Sequence, residues 1–241
     1  MCDIYSRYYK QKVGPDDFEI LAVVGKGSFG KVFQVRKKDT GNIFAMKVIR
    51  KDNVVKRNAV EHTMAENKIL KHINHPFLVN LKYAFQTKLH LYMVIDYLNG
   101  GELFYHLTRD DYFSEERTRF YAAEVVLALG YLHDNNIVYR DLKPENLLLD
   151  MQGHICLVDF GLCKTGLGFD TKTHTFCGSP EYIAPEVLRG EGYNKEVDWW
   201  ALGTLIYEML TGLVSASLKI IYRLATHALI ISHLFGRKTK M

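Results

Sequence analysis

The chain has 241 residues, 48% hydrophobic and 24% charged, which excludes a disordered or fibrous class and leaves room for two lobes. Its 31 basic and 27 acidic residues leave a formal charge of +4 with no polybasic block, so no nucleic-acid partner is expected. Cys2, Cys156, Cys163 and Cys177 lack the paired short spacings of a zinc site, and no apolar signal or transmembrane segment follows the first Met, so a reduced cytoplasmic or nuclear setting is expected.

Residues 1–17 are polar and aromatic, with Gly14-Pro15 near their end, and read as a lead-in. Strand-like runs follow at Phe18–Val24 and Lys31–Arg36, separated by Gly25-Lys26-Gly27-Ser28-Phe29-Gly30, so the glycines fall in a hairpin turn. Glycines there let backbone amides close over phosphates. A dinucleotide-binding turn would need a helix after the last glycine, whereas Lys31-Val32-Phe33-Gln34-Val35 alternates as a strand does. The Gly-Lys-Ser/Thr ending of a P-loop is missing as well. Ala45-Met46-Lys47-Val48-Ile49 reads as a third strand, and its one charged side chain, Lys47, is either solvent-facing or paired. Ala59–His72 has the apolar spacing of an amphipathic helix and contains Glu66, ending before His75-Pro76. Phe77–Phe85 and Leu89–Tyr97 supply two more strands, predicting a five-stranded sheet with one helix against it.

From Gly101 the pattern turns helical, first over Glu102–Leu107, then from Ser114 to His133, with Ser114 as N-cap and Glu115 and Glu116 in the first turn. Tyr139-Arg140-Asp141-Leu142-Lys143-Pro144-Glu145-Asn146 is either a polar turn between helix and strand or a catalytic loop for phosphoryl transfer. In the second reading Asp141 takes or orients the proton of an attacking hydroxyl and Lys143 neutralises charge on the moving group. Asn146 then holds a magnesium ion through its amide oxygen. Asp159-Phe160-Gly161 favours that reading, because residues 147–155 read as strand, Gly-containing turn and strand and bring a second carboxylate back beside the first. Lys164–Cys177, rich in Thr and Gly, has the composition of a flexible segment. Asp198–Leu210 is an almost wholly apolar helix, predicted to be buried on most sides. Beyond Gly212, Lys219, Arg223 and His227 recur every four residues among apolar ones, a pattern that permits an amphipathic helix too basic to span a membrane.

Tyr139-Arg140-Asp141, Asp159-Phe160-Gly161-Leu162-Cys163-Lys164, Phe176-Cys177-Gly178-Ser179-Pro180-Glu181-Tyr182 and Gly100-Gly101-Glu102-Leu103-Phe104-Tyr105-His106-Leu107 together resemble the AGC group of eukaryotic protein kinases. Within it they are most similar to serum- and glucocorticoid-regulated kinases and protein kinase B. The resemblance implies an α+β, two-lobed kinase fold. Residues 18–97 would form a small lobe with a five-stranded sheet, and residues 98–212 the hinge and a mainly helical large lobe that is incomplete after its central helix. Residues 213–241 form a tail without family motifs, and Glu186 lacks the Arg that pairs with it in the family, so a loosely packed large lobe is expected.

By the same resemblance the cofactors are ATP and Mg²⁺, and the reaction moves the γ-phosphoryl group to Ser or Thr of protein substrates. The alternative is a catalytically compromised nucleotide-binding or dominant-negative interaction protein. Lys47 would meet the phosphates with Glu66 as its partner, beneath Gly25, Lys26, Gly27, Ser28, Phe29 and Gly30. Val32, Ala45, Ile95 (the gatekeeper), Asp96, Leu98, Glu102 and Leu148 would surround the nucleotide, and Asn146 and Asp159 would hold the metal. Thr175 would take an activating phosphate from an upstream kinase, adding about −1.5 to −2 charge opposite Arg140, Lys164 and His62. Glu102, Glu145 and Glu208 match acidic contacts that select Arg-x-x-Ser/Thr substrates, since carboxylates form bidentate pairs with guanidinium.

Overall fold

The computed structural model describes residues 13–27, 30–168 and 171–213. The expectations placed on Ser28, Phe29 and the segment after Leu213 lie outside the described residues. Contacts divide the described residues into two units, one of those up to residue 72 with 79–98, the other of residues 73–78 with those between 99 and 213.

In the first unit, β1 (Phe18–Lys26), β2 (Gly30–Lys37), β3 (Ile43–Arg50), β4 (Leu81–Gln86) and β5 (His90–Asp96) form an antiparallel sheet in the order β1-β2-β3-β5-β4. The period-two alternation sorts its side chains. Val32, Ala45, Lys47 and Ile95 share one face, through the pairs Val32↔Lys47 and Ala45↔Ile95. The other face carries a core of Phe18, Val35, Met46 and Val94, extended by Phe85, whose ring stacks on Phe18 at 5.9 Å and on Tyr92 at 4.9 Å. The turn predicted as a hairpin is one, with the Gly27 N–H donating to the Gly30 carbonyl at 2.9 Å, and a strand follows the last glycine. Gly30 is required for a second reason. A Cβ there would stand 1.8 Å from the Val48 carbonyl oxygen, so only glycine lets β2 lie this close to β3.

Helix α1 (Lys51–Lys56), which the sequence reading left unassigned, follows β3, and α2 (Val60–His72) buries Thr63, Glu66, Ile69 and Leu70. The strand expected from Phe77 begins instead at Leu81. The Phe77 carbonyl accepts the Leu157 N–H at 2.9 Å and Leu78 makes a parallel bridge to Leu157, so residues 73–78 pair with the second unit.

That unit holds α3 (Leu103–Asp110), α4 (Glu115–Asp134), β6 (Ile137–Val138), β7 (Leu147–Leu149), β8 (Ile155–Leu157), β9 (Lys164–Thr165), α5 (Pro185–Leu188) and α6 (Glu196–Thr211). Ser114 caps α4 as expected, its hydroxyl accepting the Arg117 N–H at 3.2 Å. Val125, Ala128, Leu129 and Leu132 of α4 are fully buried. β7 and β8 pair antiparallel as the predicted hairpin, and β6 pairs with β9. The expectation that α6 is buried on most sides needs correcting. It buries Val197, Ala201, Leu202, Leu205 and Met209, while Trp199, Trp200, Tyr207 and Leu210 are exposed, because α4 and the turn Pro180–Tyr182 pack on one side of it. Among the described residues no helix is long and apolar enough to cross a membrane.

Candidate active site

The sheet face that carries Lys47 also carries Val32, Ala45 and Ile95, so strand register alone gathers these predicted nucleotide-binding residues. Gly25 pairs with Val32 across the β1–β2 ladder. The Lys47 ammonium donates to Glu66 Oε1 at 2.6 Å. Glu66 is 5% exposed, and a buried carboxylate of this kind holds a charged partner firmly. The partly exposed Asp96 carboxylate is held on both oxygens: Oδ2 accepts from the Asn80 side-chain amide at 3.1 Å, and Oδ1 lies 2.9 Å from Lys82 Nζ. Its N–H donates to the Asn80 carbonyl at 3.3 Å. Leu98 is half-buried at the end of this unit.

In the second unit the loop after β6 hangs from α6. Asp198 is 1% exposed and accepts the backbone N–H of Tyr139 and of Arg140, each at 2.8 Å, together with the Nε2–H of His133 at 2.8 Å. These bonds offset the desolvation of a buried carboxylate and hold Arg140 in a left-handed conformation, φ 70°. The Tyr139 ring meets Phe160 edge-on at 5.7 Å, and its hydroxyl donates to the Val158 carbonyl at 2.5 Å. Burial holds that hydroxyl well above the usual tyrosine pKa.

The strand-like reach of the loop then brings its polar groups together. Lys143 Nζ lies 3.1 Å from Asp141 Oδ2 and donates to Ser179 Oγ at 2.8 Å, and the Ser179 hydroxyl donates to Asp141 Oδ1 at 2.9 Å. The Asn146 amide spends its hydrogens on the Asp141 carbonyl, at 2.8 Å, and on Asp141 Oδ2, at 2.9 Å, which leaves Oδ1 as the side-chain atom with lone pairs to offer a cation. Asn146 immediately precedes β7. Its carbonyl accepts the Val158 N–H at 2.9 Å, so the hairpin sets Asp159 next to it. Asp159 sits at φ 59°, and its Oδ1 accepts the Gly161 N–H at 3.1 Å. An amide oxygen and a carboxylate at the base of one hairpin are the hard oxygen donors that Mg²⁺ takes, so the residues fit the expected ion. Leu148, half-buried between the fully buried Leu147 and Leu149, points to the other face of β7, and its backbone bridges Glu102.

The Arg140 guanidinium donates to the Leu162 carbonyl at 2.7 Å and to the Tyr193 hydroxyl at 3.2 Å, and that hydroxyl donates to the Thr175 carbonyl at 2.5 Å. Burial pushes the Tyr193 pKa up to about 12. Thr175 is exposed, as are Lys164 and, in the first unit, His62. Gly178 adopts φ +113°, and a Cβ there would approach the Arg140 carbonyl to 3.0 Å, so the loop closes over this turn only with glycine. Of the predicted substrate carboxylates, Glu102 and Glu145 are exposed. Glu208 is 5% exposed and accepts the Tyr182 hydroxyl.

The sequence reading had no site role for Ser179, Asp198 or Tyr193. Ser179 stands inside a quoted motif, and Asp198 is a charged residue opening an apolar helix, which is the signal that could have found it.

A protein kinase domain family model matches residues 18–231. The chain is 65% identical over 204 residues to a RAC family serine/threonine-protein kinase homolog of Dictyostelium discoideum, covering 84% of this chain and 46% of that protein. It is 58% identical over 200 residues to the human serine/threonine-protein kinase Sgk2, covering 83% and 54%. To the serine/threonine-protein kinase YPK1 of Saccharomyces cerevisiae it is 59% identical over 198 residues, covering 82% and 29%. The chain thus spans about half, or less, of the length of these relatives. It belongs to the protein kinase domain family, within the AGC group.

Proposed function

We propose that this chain transfers the γ-phosphoryl group of ATP to serine and threonine hydroxyls of protein substrates in Arg-x-x-Ser/Thr contexts. The observation that carries the proposal is the closed cluster of Asp141, Lys143 and Ser179, tied to Asn146. Bound ATP with Mg²⁺ supplies the electrophilic phosphoryl group and neutralises charge on its oxygens. Asp141, oriented by the amide of Asn146 and the hydroxyl of Ser179, accepts the proton of the incoming hydroxyl. Lys143, held beside that carboxylate, places its ammonium where negative charge grows. Glu66 holds Lys47 extended for the nucleotide phosphates. Asn146 and Asp159 are assigned the metal, and Gly25, Lys26, Gly27, Gly30, Val32, Ala45, Ile95, Asp96, Leu98 and Leu148 the nucleotide. Exposed Glu102 and Glu145 are assigned the substrate guanidinium. Thr175, exposed and with its carbonyl held by Tyr193, is the site for an upstream kinase, and the setting is the cytoplasm.

The test is phosphotransfer by the full chain from ATP and Mg²⁺ to peptides. An Arg-x-x-Ser peptide should be the better substrate, and Asp141→Asn should lower kcat by about 10²–10⁴-fold while the protein stays folded. Preference for an acidic or Ser-Pro peptide, or full activity in Asp141→Asn, would overturn it. In a melting experiment Mg²⁺ with ATP should stabilise the folded protein, with the metal-dependent part lost in Asp159→Ala.

A further inference from the structure

The turn end of the β7–β8 hairpin, remote from Asn146 and Asp159, is pinned by a carboxylate that the catalytic reading does not use. Glu124 is the one acidic residue on the buried face of α4, and it is 5% exposed. Its Oε2 accepts the Ile155 N–H, at the first residue of β8, at 2.8 Å, and its Oε1 accepts His154 Nδ1–H at 2.5 Å. The turn preceding that point is closed on itself. Asp150 Oδ1 accepts the N–H of Gln152 and of His154, each at 2.9 Å, and the Asp150 N–H donates to the His154 carbonyl at 2.9 Å. The His154 ring lies between Phe77, 6.1 Å away, and Phe120, 5.5 Å away.

We infer that Glu124 and His154 form a protonation-dependent latch that positions the metal-bearing end of the hairpin. The inference rests on the proposed function for its catalytic meaning. A buried carboxylate with a cation and a backbone N–H as partners is well held, whereas one with only neutral donors is a desolvated charge and loosens its anchor. Among the described residues, the charged groups facing the ring are Glu124 on α4 and Asp150 in the turn, while the side chains against it, Phe77 and Phe120, are uncharged. The bond to Glu124, then the charges of Glu124 and Asp150, hold His154 above the ordinary imidazole pKa. A raised folded-state value means that the stabilisation is complete below the unfolded value, about 6.5, and is lost as pH rises through the folded one. β8 is short and continuous with Val158 and Asp159, so slack at Ile155 is passed to the metal ligands. Glu124 and His154 are positioning residues, not catalytic ones.

The test compares the full chain with His154→Gln, which keeps a neutral donor, and with Glu124→Gln, an isostere for a site where alanine would leave a cavity. Melting temperature is followed between about pH 6 and pH 9, with and without Mg²⁺ and ATP. The wild type should lose melting temperature on going to high pH relative to both variants. Its apparent Mg²⁺ requirement should rise by about tenfold over the same range, a change that both variants suppress. kcat at saturating Mg²⁺ should stay within about twofold, since no reacting group is altered. Parallel pH profiles for wild type and variants would overturn the latch. A wild type that shows no Mg²⁺–ATP stabilisation at any pH would overturn the proposed function instead, and the ligand-free profiles would still decide the latch in the same two ways.

Discussion

The two faces of α6 have nearly the same apolar composition and opposite fates. The inner face buries two carboxylates, Asp198 at 1% and Glu208 at 5% exposure, each with named donors. The outer face leaves Trp199, Trp200, Tyr207 and Leu210 between 39% and 47% exposed. These residues follow the helical period, so they form one stripe, and Asp198 and Glu208 lie off it. Hydrophobicity therefore does not distinguish the functional side of this helix. Burial of charge does, because a carboxylate is tolerated in the interior only where donors have been arranged for it. Two of the donors to Asp198, the N–H groups of Tyr139 and Arg140, belong to the loop that carries Asp141, while the donor to Glu208 is Tyr182 in the turn after Ser179.

The largest effect should come from removing the anchor. Asp198→Ala strands the N–H groups of Tyr139 and Arg140 and the His133 ring at once, and His133 Nδ1 is already buried without a partner among the described residues. Loss of one side of such a network costs about 3–5 kcal/mol, against a domain stability of about 5–15 kcal/mol. The urea midpoint should fall accordingly and phosphotransfer should vanish. An unchanged midpoint would show that the inner face does not support the loop, and the contrast between faces would collapse.

Tyr182→Phe should be milder. It removes the hydroxyl that Glu208 accepts but leaves Glu208 its other interactions and the ring its packing. About 1–3 kcal/mol is expected for a buried acceptor that loses one donor. Because Tyr182 lies in the turn after Ser179, KM for peptide should rise more than kcat falls. A purely thermal loss with unchanged peptide KM would assign Glu208 to stability alone.

Much of this arrangement could be read from the chain and part could not, for one physical reason. Local period and local capping are sequence properties, so the alternation of Lys31–Val35 and the Ser114 cap were legible without a structure. The start of β4 was not: residues 77–85 are apolar apart from Asn80 and Lys82, with no Gly or Pro to mark a boundary, and only the non-local pairing of Phe77 and Leu78 with Leu157 decides where the strand begins. Ser179 and Asp198 escaped assignment because their partners lie 36 and 58 residues or more away. The pairing of Lys47 with Glu66 was expected through family resemblance, since a lone charge in a strand does not announce its partner. Glu208 shows the converse, where matching a position to a substrate contact could not reveal its burial against Tyr182.

The smallest effect is expected on the outer face. Tyr207→Gln and Leu210→Gln replace exposed apolar side chains with a good helix former, so backbone preference barely changes and no described neighbour loses a buried contact. Each should shift stability by no more than about 0.5 kcal/mol, as surface substitutions do. Truncating a large side chain in a packed interior costs about 2–5 kcal/mol instead, so the experiment separates the two states of this face cleanly. If Tyr207→Gln approaches the cost of Tyr182→Phe or exceeds it, something covers the stripe in solution. Hydrogen exchange would then show the α6 amides as slow as those of β3 and β5, and the two faces of the helix would be equally committed to the fold.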